Sequence, residues 1–136
     1  MVYRFEDLDV WRAAREQNGE VSQLLLRPDF RRDLKLSDQL SRACLSVMNN
    51  ISEGFLRHND GQFVQFLRIA AASNGEVRSC LYAASDRKDL DAAESERLIE
   101  QTNAVGRMIR GLQQWLELSL ERRANSRPGQ RRRGGA

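Results

Sequence analysis

The sequence contains very little proline. Its 136 residues include only two prolines, at positions 28 and 128. Between them no residue has the fixed backbone that would interrupt an α-helix, and no alternating run of β-branched residues favours a β-strand. These absences exclude a β-rich fold and predict a chain that is helical over most of its length.

Histidine and cysteine are also scarce. His58 is the only histidine, and Cys44 and Cys80 are the only cysteines. No Glu-x-x-His or Cys-x-x-Cys pair is present, so the usual ligand sets of di-metal and zinc sites are missing. A serine or cysteine nucleophile would need a neighbouring imidazole base, and His58 lies in a polar turn. We therefore predict a protein that is not an enzyme and that has no metal and no cofactor.

Long apolar runs are absent as well. No stretch approaches the length needed to span a bilayer, and the N-terminal MVYRFEDLDVW has acidic residues where a signal peptide has an apolar core. Both cysteines fall in apolar helical patterns, which is typical of reduced core thiols. With 40% apolar and 30% charged residues, the composition predicts one soluble domain, and a cytoplasmic location is the expectation.

Four segments have the apolar spacing of amphipathic helices. They cover approximately residues 5–26, 37–55, 61–86 and 91–121. Candidate N-caps precede the last three: Ser37 or Asp38, Asn59 or Asp60, and Asp91. Such helices joined by short turns pack best as an antiparallel up-and-down four-helix bundle. We assign residues 1–121 to this all-α fold.

The predicted core faces follow from the three-four spacing of apolar residues, with Asn18 at an otherwise apolar position. In chain order they comprise Leu8, Trp11, Ala14, Val21 and Leu25; Leu40, Ala43, Val47, Ile51 and Phe55; Phe63, Phe66, Leu67, Ala70, Val77, Leu81 and Ala84; and Leu98, Val105, Met108, Ile109, Leu112, Trp115 and Leu116.

The positive charge is concentrated at the C-terminus. Residues 122–136 contain six arginines and no acidic residue, which leaves 16 basic and 19 acidic residues in 1–121, a net charge of −3. This segment has almost no apolar residues, so we predict a disordered tail. Its arginines can neutralise phosphates without reading sequence; the alternative is a solubilising end. They are Arg122, Arg123, Arg127, Arg131, Arg132 and Arg133.

Two helical stretches carry unexpected polar residues. In SVMNNISEG, residues 46–54, we expect Asn50, Glu53 and Gly54 to serve either a contact with a neighbouring subunit or a polar network between the second and third helices. The alternative is a solvated helix end.

The second stretch is Ser73-Asn74-Gly75-Glu76, which interrupts the apolar face of the third helix. A mid-helix glycine costs about 1 kcal/mol relative to alanine, so Gly75 predicts close packing. Ser73 would join the polar network, and Glu76 would pair with Arg42 or Arg68. The alternative is a surface charge beside an incidental glycine.

Three stretches together resemble a known family: FEDLDVWRAA, DQLSRACLSVMNNISEGF and FVQFLRIAAASNGEVRSCLYAA. They are similar to the four-helix bundle proteins encoded by intervening sequences of bacterial large-subunit ribosomal RNA genes. The accessory variability protein of diversity-generating retroelements belongs to the same group. The likeness covers roughly residues 5–118 and rests on the combination Gln39, Leu40, Arg42, Ala43, Asn50, Ile51, Glu53 and Gly54.

The resemblance implies a ring of five bundles, and, for retroelement members, basic surfaces and action with RNA and a reverse transcriptase. This chain departs from them because its body is net acidic, and because RKDLD, residues 87–91, lacks an expected Gly–aromatic pair. Two hypotheses follow. One is a non-enzymatic homopentamer that binds RNA or DNA, or a ribonucleoprotein partner, through the tail, with Arg57 and Arg68. The other is a protein-interaction scaffold without a nucleic-acid role.

Overall fold

Five α-helices and one short 3-10 turn form the part of the chain that the computed structural model describes, residues 2–127. The turn covers Phe5–Asp7, and the helices are α1 (Asp9–Leu24), α2 (Pro28–Arg32), α3 (Leu34–Leu56), α4 (Asp60–Asp86) and α5 (Ala92–Ser126). Residues 2–127 contain no β-strand. None of their helices combines the length and apolar character needed to cross a membrane.

Neighbouring long helices run in opposite directions. Between α3 and α4, the Oγ atoms of Ser46 and Ser73 are 2.7 Å apart, whereas the later Arg57 lies over the earlier Phe66, with its Cζ 5.1 Å from the ring centroid. Helices α4 and α5 are also antiparallel, because Arg68 pairs with Glu117 whereas the later Arg78 pairs with the earlier Asn103. The N-terminal part of the chain is antiparallel to α5 as well, as the pairs Glu20–Arg97 and Arg27–Glu94 show. Helix α1 also packs along α3. The predicted all-α antiparallel four-helix bundle is confirmed.

The helix starts follow local chemistry. The Asn59 side chain accepts a hydrogen bond from the backbone N–H of Gln62 at 2.9 Å, and the Asp91 side chain accepts one from Glu94 at 2.8 Å, so both act as N-caps. The predicted cap at Ser37 or Asp38 is wrong, because α3 already begins at Leu34. Ser37 instead donates its hydroxyl to the Phe30 carbonyl at 2.6 Å, which ties α3 to α2.

The core is continuous and differs from the predicted faces at several places: Phe66, for example, is only partly buried and lies outside the core cluster. In α1 the buried stripe includes Gln17, which is 1% exposed, rather than the expected Asn18. In α5 Trp115 is 64% exposed although it was predicted to face inward. The central layers are fully buried aliphatic residues, among them Leu40, Val47, Ile51, Leu67, Val77, Leu81, Leu98, Val105 and Ile109. Each contributes on the order of 2 kcal/mol by leaving water.

The last helix is longer than predicted. Helix α5 continues to Ser126, so Arg122 and Arg123 lie on a helix and Arg127 follows its last turn. The expectation of disorder is therefore wrong for residues 122–126. The remaining part of the predicted tail, residues 128–136, lies outside the described residues.

The two ends of the bundle are different in composition. The arginine end comprises residues 2–8, 55–63 and 112–127, where the N-terminal segment, the α3–α4 turn and the end of α5 meet. The carboxylate end comprises residues 24–34 and 84–97, where α2 and the α4–α5 turn meet.

Candidate nucleic-acid interface

A buried polar layer crosses the middle of the bundle. Gln17 of α1 donates its Nε2–H to Asn74 Oδ1 at 3.2 Å, and Asn74 Nδ2 donates to the Thr102 carbonyl of α5 at 2.9 Å. All three side chains are at most 5% exposed. Such a layer favours one arrangement of the helices over others because an unpaired buried polar group is costly. The sequence analysis missed Gln17, although the spacing Ala14–Gln17–Val21 places it on the core stripe.

A second polar chain joins α3 to α4. Asn50 Nδ2 donates to the Ser46 carbonyl at 2.8 Å and to its hydroxyl at 3.0 Å, and that hydroxyl lies 2.7 Å from the Ser73 hydroxyl. The structure thus brings Asn50 and Ser73 together through Ser46, a residue that was not singled out. The chain lies within one protomer, between two of its own helices.

Gly54 allows the closest approach of α3 to α4. A Cβ atom at this position would lie 2.7 Å from Cβ of Phe66 and 2.8 Å from Cδ1 of Phe63. There is therefore no room for a side chain at position 54, just before the α3–α4 turn. Gly75 is the opposite case: it is exposed, and a Cβ atom there would meet nothing within 4 Å. The prediction of close packing at Gly75 is wrong within the protomer.

The remaining polar candidates are surface residues. Glu53 pairs with Arg57 one turn later on α3, at 2.7 Å, and Arg42 is exposed. The expected pairing of Glu76 with Arg42 or Arg68 is wrong. Glu76 is exposed, and Arg68 instead donates to Glu117 of α5 at 3.2 Å.

Three of the six C-terminal arginines fall within the described residues, all at the arginine end. Arg122, Arg123 and Arg127 are exposed on or just after the last turns of α5, and Arg123 pairs with Asp60 at the start of α4, 2.8 Å away. Arg57 belongs to the same end, whereas Arg68 lies further along α4, on the surface between α4 and α5, where it donates to Glu117. Arg131, Arg132 and Arg133 lie outside the described residues.

A polar depression of about 550 Å³, which we call the arginine groove, runs between the α3–α4 turn and the end of α5. His58 turns the chain sharply there, with a φ of 52°. The side chains that line the groove include His58, Asn59, Asp60, Arg123 and Arg127. Exposed guanidinium groups beside hydrogen-bonding side chains suit an anionic ligand.

A second depression of about 650 Å³, the aromatic cavity, adjoins the groove. Its walls are mainly apolar, and it shares His58, Asn59 and Asp60 with the arginine groove. Trp115 and Tyr3 line it while remaining 64% and 77% exposed. The other aromatic and aliphatic walls are Phe55, Phe63, Leu112 and Leu116. The sequence analysis missed both exposed rings, because their placement depends on how the N-terminal segment meets α5.

The described residues hold no group of three or more His, Cys, Asp or Glu side chains that could bind a metal ion. Burial raises the pKa of the Cys44 thiol to about 12, so its reactive thiolate form is scarce. Burial also raises the pKa of Cys80. The arginine end itself presents exposed guanidinium groups and aromatic rings, which are binding groups.

The comparisons with known proteins agree with the fold. A search of curated proteins found no match to the chain. A protein-family model described as the 23S rRNA-intervening sequence protein matches residues 6–111, which include the last two residues of the 3-10 turn, α1 to α4 and more than half of α5. Because this match covers most of the 136 residues, the chain belongs to the 23S rRNA-intervening sequence protein family.

Proposed function

We propose that this protein is a non-enzymatic accessory protein that associates with RNA through the arginine end of its bundle and assembles as a homopentamer. The observation that carries the proposal is the concentration of arginine at the end of the sequence: six of the last fifteen residues are arginine and none is acidic, and the three that fall within the described residues lie at the arginine end. Membership of a family described by its link to ribosomal RNA indicates an RNA-associated role.

The distribution of charge supports a contact with RNA at this end. Residues 1–121 carry a net charge of −3, so the bulk of the bundle repels a phosphate backbone. Arg122 and Arg127 project from the end of α5 beside the groove, and three more arginines follow within six residues. Phosphate contacts of this kind give affinity without sequence preference and weaken as salt rises.

The outer face of α3 supports self-assembly. Leu34, Leu45 and Leu56 are spaced eleven residues apart, which is three helical turns, and they are 67%, 45% and 53% exposed. These three leucines lie on the side of α3 opposite its core stripe, and a lone bundle would leave them in water. A second copy of the chain would cover them. The ring of five, and a ribonucleoprotein partner of the reverse transcriptase type, are implied by the family resemblance and form part of the proposal.

Light scattering of the full-length protein, recorded with its absorbance ratio at 260 and 280 nm, tests both parts. We expect a particle of five times the chain mass of 15.6 kDa, carrying RNA at low salt and releasing it at high salt. Leu45→Glu should dissociate the particle, and Leu45→Met should not. A single-chain mass at high concentration would contradict the assembly.

Filter binding with RNA at low salt separates the two functional hypotheses. The proposal requires binding that disappears when residues 128–136 are deleted and Arg122, Arg123 and Arg127 are changed to glutamine. Substitution of Arg107 and Arg110 on the α4–α5 surface is the matched control and should preserve most of the binding. A ring with no RNA affinity even at low salt would favour the protein-interaction scaffold instead.

A further inference from the structure

The aromatic cavity and the arginine groove form one continuous surface. They share His58, Asn59 and Asp60 of the α3–α4 turn. One side of this turn is mainly apolar and aromatic, and the other side is bordered by Arg123 and Arg127. A nucleotide has the same division, with a flat apolar base on one side and a charged phosphate on the other. From this juxtaposition we propose that the aromatic cavity receives the base of an unpaired RNA nucleotide whose phosphates lie along the arginine groove.

The inference rests on the proposed association with RNA and adds to it the class of RNA that is bound. Arginines alone would accept duplex and single-stranded RNA alike. Exposed aromatic rings distinguish the two, because only an unpaired base can leave its neighbours and stack on a side chain.

Trp115 is the main stacking candidate. Its ring is 64% exposed on α5, although it lies next to the buried Leu116 and at the edge of a cavity of about 650 Å³. Tyr3 lines the same cavity and is 77% exposed. Both rings are therefore accessible to a base at the same apolar cavity.

The charges around the cavity permit a phosphate nearby. Asp60, the acidic residue among those that line the cavity, pairs with Arg123 at 2.8 Å. Glu117, two residues after Trp115 on α5, pairs with Arg68 at 3.2 Å and accepts a hydrogen bond from Gln113 at the same distance. In the N-terminal segment, Glu6 and Asp7 both face Arg4, at 3.5 and 3.4 Å. Arg127 lines the adjoining arginine groove, and Arg122 is exposed near the end of α5.

Base stacking can be read from tryptophan fluorescence once Trp11, which packs against Phe5 at a centroid distance of 5.0 Å, is changed to phenylalanine. In this Trp11→Phe background, with the native particle intact, we expect oligouridylate to quench Trp115. A duplex RNA of equal length should leave the fluorescence nearly unchanged.

Affinity measurements with substitutions complete the test. Trp115→Ala should weaken oligouridylate binding about tenfold, within the range of one stacked base, and leave duplex binding within about twofold. Trp115→Phe should retain most of the affinity. Tyr82→Ala is the matched control, since Tyr82 is an exposed aromatic residue, 55% accessible, on a different surface.

The outcomes distinguish the two proposals. If RNA binds and depends on the arginines but Trp115→Ala has no effect, the stacking site is rejected and the RNA association stands. If no RNA binds at low salt, both are rejected. If Trp115→Ala changes the mass of the native particle, the cavity is an interface between copies of the chain, and the stacking site is rejected for that reason.

Discussion

The two ends of the bundle use arginine in opposite ways. At the carboxylate end Arg27 pairs with Glu94 at 2.7 Å, Arg87 pairs with Asp33 at 2.6 Å, and Arg32 pairs with Asp29. At the arginine end, residues 2–8, 55–63 and 112–127 hold five arginines and five acidic residues. The excess of positive charge lies in residues 122–136, which contain six arginines and no acidic residue. The pI of 9.3 averages these two situations and describes neither of them.

Removing arginine from each end in turn should give the largest contrast. Changing Arg122, Arg123, Arg127, Arg131, Arg132 and Arg133 to glutamine should weaken RNA binding by about 100-fold or more at low salt, because each phosphate contact releases counterions. Changing Arg27, Arg32 and Arg87 to glutamine should leave the RNA affinity within about twofold of wild type. Filter binding measures both. Equal losses per arginine removed in the two variants would show that only net charge matters and would remove the distinction between the ends.

Two glycine substitutions examine how the arginine end is supported. Gly54→Ala places a Cβ atom 2.7 Å from Phe66 just before the α3–α4 turn, so we expect a loss of about 1–3 kcal/mol in the free energy of unfolding. Gly75→Ala meets open space on α4 and should gain about 0.5–1 kcal/mol through helix propensity. Urea denaturation of both variants gives the two signs. A stabilising Gly54→Ala would mean that α3 and α4 are not tightly packed at the turn.

The carboxylate end should control the pH dependence of stability. The hydrogen bond from Arg87 lowers the pKa of Asp33, so its stabilising contribution is present above the unfolded-state pKa and is lost as the pH falls through the folded value. Burial, and then the neighbouring Asp33, raise the pKa of Asp89, so ionised Asp89 destabilises the fold at neutral pH.

We therefore expect Asp89→Asn to raise the urea midpoint at pH 7. The difference from wild type should shrink as the pH falls through the raised pKa of Asp89, because the wild-type carboxyl then becomes neutral as well. A lower midpoint for Asp89→Asn at pH 7 would mean that the ionised carboxylate stabilises the α4–α5 turn.

The smallest expected effect concerns the thiols. Cys44 is 1% exposed and its thiol has a pKa of about 12, so it should resist a maleimide at pH 8 in the native protein. Cys80, which is only partly buried, should react slowly. Both should react rapidly in denaturant, and mass spectrometry of the modified peptides separates them. Rapid native labelling of Cys44 would indicate frequent opening between α3 and its neighbours.

Much of the fold could be predicted from local pattern, because one apolar face per helix and few prolines leave little choice of architecture. The errors occurred where neighbouring faces compete. Gln17 rather than Asn18 is buried because it lies on one stripe with Ala14 and Val21 and reaches Asn74 of α4; the spacing carried this signal, but the pairing with Asn74 appears only in the packed bundle. Helix α5 passes residue 121, and Arg123 on this extension pairs with Asp60, a residue distant in sequence.

The candidate site was predictable only in part. Charge counting identified the arginines, since their number depends on sequence alone. The aromatic cavity was not predictable, because Tyr3 and Trp115 are more than a hundred residues apart and meet only after the N-terminal segment folds against α5. Trp115 was assigned to the core by its spacing, and its exposure at the bundle end is a property of tertiary packing.

Hydrogen–deuterium exchange of the full-length protein with and without single-stranded RNA tests the central claim most directly, because it reports which backbone segments become protected. We predict slower exchange in residues 55–63 and 112–127 when RNA is bound, with residues 24–34 and 84–97 unchanged. Protection of the carboxylate end instead, or equal protection of both ends, would contradict the assignment of RNA binding to the arginine end.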